Sequence, residues 1–109
     1  MKWLIILVNL SFITDTFAQL VSVSGVTVTN TTLITIKGNL SGTIGASVDN
    51  NGTIDFTGNI INNSGGTLFG TSSGTVVLNG AAQSVTGSDP IQFNNLTLLG
   101  TGMKTLEQD

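Results

Sequence analysis

A glycine that returns at nearly constant spacing, each time behind the same pair of apolar residues, constrains this chain more than any other feature. Four segments align without gaps: LITIKGNL from Leu33, TIDFTGNI from Thr53, TVVLNGAA from Thr75 and NLTLLGTG from Asn95. One column holds Ile34, Ile54, Val76 and Leu96, and two residues later comes a second, Ile36, Phe56, Leu78 and Leu98. Two further on stand Gly38, Gly58, Gly80 and Gly100, so the repeat recurs after 20, 22 and 20 residues. Apolar residues at i and i+2 point to one face of a strand. A glycine two places later, with no Cβ, lets the chain turn sharply away. A helical solenoid would need apolar residues at i, i+3, i+4 and i+7 and repeats of roughly 30 residues or more. A leucine-rich repeat has a similar period, but its own leucine and asparagine pattern is missing. The expected fold is therefore all-β: a parallel β-helix, or β-solenoid, with coils of about 20–22 residues stacked about 4.8 Å apart.

The rest of each coil is less regular. A second apolar position falls at Ile44, Val85 and Leu106, and a third at Val48, Leu68 and Ile91, which would form the other faces. The linking text, DNNG (49–52), NNSGG (62–66), TSSG (71–74) and GSDP (87–90), is rich in turn formers. VSVSGVTVTN (21–30) alternates and reads as a leading coil in imperfect register. An immunoglobulin-like sandwich also has short strands and regular turns, but it would not repeat one turn at constant spacing. Solenoid ends expose unpaired strand edges unless capped. The sequence stops at GMKTLEQD, where another coil should be forming, so the solenoid is expected to be incomplete at its C-terminus and the chain to be a fragment of a longer protein.

Composition narrows the chemistry. The 109 residues are 39% apolar and only 8% charged, with 14 Gly, whereas disorder goes with low hydrophobicity and high net charge. The net charge is −3, and Lys2, Lys37 and Lys104 are the only basic residues, so a phosphate backbone has nothing to bind and no nucleic-acid partner is expected. The absence of Cys and His removes disulfides, thiolate metal sites and histidine-based catalytic triads. No cofactor is expected.

The amino terminus, MKWLIILVNLSFITDTFAQL, carries Lys2, an apolar run from Trp3 to Val8 and a small residue at Ala18. This predicts a secretory signal over residues 1–18, cleaved between Ala18 and Gln19, and a mature segment 19–109 outside the cytoplasm. A membrane span needs about 20 predominantly apolar residues; Asn9, Ser11, Thr14 and Asp15 interrupt this stretch too early, so no stable span is expected.

Candidate chemical groups are few. Asp55 lies between core-facing Ile54 and Phe56, which points it outward, and its counterparts Thr35, Val77 and Thr97 share no acid–base function. Of the other mature acids, Asp49, Asp89, Glu107 and Asp109, only Asp89 and Asp109 stand a coil apart, at 20 residues, and Asp89 falls in a turn, where Asp normally caps. Glycoside hydrolysis needs two such groups roughly 5–9.5 Å apart. Calcium would want more oxygens than one Asp per turn supplies. The expectation is no catalytic, cofactor-binding or metal residue. Asn39, Asn59 and Asn79 flank the glycine column and suit a structural amide stack. Phe56, Phe69 and Phe93 could form an aromatic stripe for sugars, though Phe56 belongs to a core column and Phe93 fits the core better than the surface.

Residues 74–106 resemble a unit common in large secreted proteins of the Bacteroidetes, in which a G-x-V-x-F-x-G strand leads to Q-x-(I/V)-x-G and then F-x-N-L-x-(I/V/L). The matching residues are Gly74, Val76, Leu78 and Gly80, then Gln83, Val85 and Gly87, then Phe93, Asn95, Leu96 and Leu98. NNGTIDFTGNIINNSGGTLFG is similar to the upstream half, so the resemblance spans about residues 30 to 106. It implies export through the outer membrane by the type IX system and an adhesin-like role at the cell surface without catalysis. The implied partners are further solenoid coils of the full-length chain and a surface ligand, either a glycan or a protein of a host or neighbouring cell. Two other readings remain open: the start of a β-helical polysaccharide-degrading enzyme, and a carbohydrate-binding module.

Overall fold

The computed structural model describes residues 20–107, with strand β1 described by its backbone alone. The expected signal segment and its cleavage point at Ala18 and Gln19 lie outside the described residues. Eleven strands follow one another: β1 (Leu20–Val23), β2 (Thr27–Asn30), β3 (Leu33–Ile36), β4 (Asn39–Gly42), β5 (Ser47–Asn50) and β6 (Thr53–Phe56), then β7 (Ile60–Asn62), β8 (Thr75–Leu78), β9 (Gln83–Thr86), β10 (Asn95–Leu98) and β11 (Lys104–Leu106). There is no helix among the described residues.

The strands form three sheets, ordered β1-β4-β7-β9-β11, β3-β6-β8-β10 and β2-β5. Neighbours within a sheet are separated by a whole coil of sequence, and every pairing is parallel. The chain is thus a β-solenoid of about four turns: one strand per face, then a corner, then the next face. A sandwich built from antiparallel hairpins is ruled out.

The sheet containing β3, β6, β8 and β10 carries the repeat. Ile34, Ile54, Val76 and Leu96 pair in one rung column, and Ile36, Phe56, Leu78 and Leu98 in the next. Ile54, Phe56, Val76 and Leu78 are buried. On the β1–β11 sheet, Leu40, Ile60 and Val85 occupy one column and are buried. The third side is a sheet only in its first two coils. Beyond β5 it continues through single backbone bonds, Val48 N to Leu68 O (2.8 Å) and Leu68 N to Pro90 O (3.4 Å).

Two sequence expectations need correction. Ile44, expected on an inner face, is 82% exposed; the inward residue of that coil is Leu40, two places after Gly38. In the fourth coil Ala81 and Ala82 lengthen the corner and move the inward residue to Val85, five places after Gly80. In the glycine column Gly100 has the left-handed backbone of a turn (φ 76°), but Gly58 and Gly80 act differently from the turn role expected of them. Gly58 and Gly80 are not among the glycines with positive φ. A Cβ on Gly58 would lie 2.2 Å from the Gly38 carbonyl oxygen, and one on Gly80 2.2 Å from that of Thr57. Close approach of the coil below, rather than a left-handed backbone, demands glycine here.

Candidate functional site

Polar side chains inside the solenoid sit where the chain changes face, since a corner breaks the ladder and leaves backbone groups to be satisfied. Each of the three corners has a buried amide. Between the β2–β5 side and the β3–β10 sheet, Asn30 Nδ2 donates to Asn50 Oδ1 at 2.9 Å and to Thr53 O at 3.0 Å, while its Oδ1 accepts from Thr32 N at 3.1 Å. Asn50 repeats the arrangement one coil on, with Nδ2 donating to Thr75 O at 2.9 Å. Ser72 takes the following rung, its Oγ accepting from Asn50 N (2.8 Å) and donating to Val48 O (3.0 Å).

At the corner leaving β7, Asn62 Nδ2 donates to Gly66 O (2.8 Å) and Pro90 O (2.7 Å). At the corner entering β9, Gln83 Nε2 donates to Phe56 O (3.0 Å) and Gly58 O (2.6 Å), and its Oε1 accepts from Gly80 N (2.6 Å). Asn30, Asn50, Asn62 and Gln83 are all buried. Sequence reasoning named Gln83 as a residue of the repeat unit but missed the role of Asn30, Asn50 and Asn62, because asparagine occurs throughout the turns. The available signal was position: Asn30, Asn50 and Ser72 each stand four residues before the first apolar column.

The Asn39 and Asn59 stack lies on the outside. Asn39 Oδ1 accepts from Asn59 N (2.7 Å) and Asn59 Oδ1 from Ser84 N (2.8 Å), one coil to the next. Asn79 instead donates to Asp55 Oδ2 at 3.3 Å. Asp55 is half-buried on the outward face of β6, between Thr35 and Val77 on the adjacent strands, and its Oδ1 is buried without a hydrogen-bond partner. Asp49 Oδ1 accepts from Asn51 Nδ2 (2.8 Å), and Asp89 Oδ2 from Gly65 N (2.8 Å), so these two brace turns. The described residues bring no three metal-ligating side chains together.

The three phenylalanines do not form a stripe. Phe56 is wholly buried in its column, whereas Phe69 and Phe93 meet on the irregular third side, centroids 5.7 Å apart and planes tilted by 31°. Phe69 is buried and Phe93 half-buried against the core. Around them opens a cleft of about 270 Å³, lined also by Gly70, Ser72, Gln92 and Asn94. It forms where the third sheet has given way to loops. Asn94 Nδ2 is committed to Ser73 O (2.7 Å). Gln92 stands in the same column as Asn30, Asn50 and Ser72, yet is exposed. The cleft carries no charged group, and because Phe69 is buried it presents mainly the polar groups of Ser72, Gln92 and Asn94. A second hollow of about 260 Å³ lies beside β9 and β11, lined by Asn59, Ala82, Gln83, Ser84, Met103 and Thr105.

The fold and these sites define a β-solenoid whose buried amides join coil to coil. Comparison with protein-family models, curated proteins and solved structures finds no match to this chain.

Proposed function

We propose that the chain is a secreted, adhesin-like structural segment of a bacterial cell-surface protein, without catalysis of its own. The observation that carries this reading is where the polar chemistry goes: the buried amides of Asn30, Asn50, Asn62 and Gln83 are all bonded to the solenoid's own backbone or to each other. Such a body holds a surface at a distance and presents Ser, Thr and Asn to its surroundings. The resemblance to Bacteroidetes surface proteins supports the same role. Expression of the full chain in a host of that phylum tests it. Surface-labelled protein that begins at Gln19 is expected; uncleaved protein retained in the cytoplasm would refute the reading.

Carbohydrate binding is a second reading, favoured by the uncharged, polar cleft beside Phe93 and the exposed Gln92 that lines it. Its volume lies just below the roughly 300–1,000 Å³ of sites for drug-sized ligands, which suits one sugar ring. Binding on a glycan array that is lost with Gln92→Ala would support it, and a blank array would count against it.

A further inference from the structure

The sequence holds two Asn–Gly steps, Asn51–Gly52 and Asn79–Gly80, and the asparagine of each is exposed. Such a step is chemically reactive, because a glycine nitrogen with no Cβ beside it can attack the asparagine Cγ. The fold treats the reacting atoms of the two steps differently.

At the second step the nucleophile is occupied. Gly80 N donates to Gln83 Oε1 at 2.6 Å, inside a corner where Gln83 is buried. The Asn79 side chain is turned to Asp55, Nδ2 to Oδ2 at 3.3 Å.

At the first step the bonds fall on the electrophile instead. Gly52 N makes a long bond of 3.3 Å to Asn50 Oδ1, an acceptor already held by Asn30 Nδ2 at 2.9 Å. Asn51 Oδ1 accepts from Ser73 Oγ at 2.7 Å and from Ser73 N at 3.3 Å, both in the next coil. These donors face the atom that gains negative charge when Cγ is attacked, the arrangement of an oxyanion hole. Nδ2, the leaving group, donates to Asp49 Oδ1 at 2.8 Å, so a carboxylate stands where a proton has to move.

We propose that Asn51 is a self-modification site, converted by its own corner to aspartate and isoaspartate. Gly52 N bonds to Asn51 Cγ, the Cγ–Nδ2 bond breaks, and the proton lost from Gly52 leaves on Nδ2 as ammonia, relayed by Asp49. Water then opens the succinimide at one carbonyl or the other. Either product replaces a donor to Asp49 with a further carboxylate. Isoaspartate also lengthens the main chain at a corner where Gly52 already abuts the Thr32 carbonyl. The conversion loosens one rung irreversibly, so the protein carries a record of its age.

The test keeps the full chain folded at neutral pH in heavy-oxygen water and follows entry of the label at both steps by fragment mass spectrometry. Asn51 is expected to convert faster than Asn79, and the two rates should draw together in denaturant, where neither corner exists. Gly52→Ala is unsuitable, because its Cβ would strike Thr32; Ser73 is exposed, so Ser73→Ala keeps the fold. That variant should slow conversion at Asn51 by about two- to tenfold, the worth of one hydrogen bond, and leave Asn79 unchanged. A bond that merely tethered Asn51 would do the reverse, since cutting it frees the side chain to react. Faster or unchanged conversion in Ser73→Ala would therefore overturn the proposal. Equal rates at the two steps of the folded chain, no label at Asn51, or a difference that persists in denaturant would overturn it too.

Discussion

Phe56 and Asp55 are neighbours with opposite consequences. Phe56 is fully enclosed between Ile36 and Leu78, so Phe56→Ala should cost about 3–5 kcal/mol in denaturant unfolding. Ile54→Asp or Leu78→Asp should prevent folding, since each places an unpaired charge in the interior; a folded circular dichroism spectrum for either would contradict the inward assignment. Asp55→Asn removes the charge from a carboxylate whose Oδ1 is buried without a partner, so it should leave stability unchanged or raise it. Its outward direction was legible from alternation alone. The corner amides were not. Asn50→Ala should cost about 1–3 kcal/mol, because it removes the Asn50 Oδ1 acceptor from the Asn30 amide and the side-chain donor from the Thr75 carbonyl at a buried corner. Thr31→Ala, exposed at the same corner beside Asn30, provides the control in the same unfolding experiment.

Among the elements, legibility followed the constancy of the corner. In the repeat sheet each strand is followed by glycine after the same interval, so composition and register agree and its columns can be read from sequence. In the β1–β11 sheet the step from glycine to inward residue is two places from Gly38 to Leu40 and from Gly58 to Ile60 but five from Gly80 to Val85, so a constant five- or six-residue step points to Ile44, which is exposed. The third side was legible at single residues, Val48 and Leu68, but not as a sheet, because GGTLFGTSSG lacks the alternation that marks a strand. Tolerance should follow the same division. Gly58→Ala pushes a Cβ into the Gly38 carbonyl and should lower the midpoint of thermal unfolding clearly. Gly66→Ala, at a loop position where a Cβ meets nothing within 4 Å, should not. Equal effects at the two sites would mean that coil spacing is not set by the glycine contacts.

The whole molecule is a stack in which each coil bonds chiefly to the one before and the one after. Stability should therefore be graded along the stack. Hydrogen exchange should be slowest at β6 and β8, which are covered on both sides, and faster at β10 and β11; uniform protection would point to a globally cooperative unit instead. The hydrogen bonds between coils run along the stacking axis, and this decides how the protein carries load. A pull on its two ends acts on the terminal strand first, one rung at a time, rather than sharing the force over a whole sheet. Under tension the solenoid should peel as thread leaves a spool, each step releasing a coil of 20–22 residues, or about 70–75 Å of chain. Single-molecule pulling should record a staircase of small, similar extensions. One abrupt rupture of the entire segment would show that the corner amides bind the coils into a single mechanical unit.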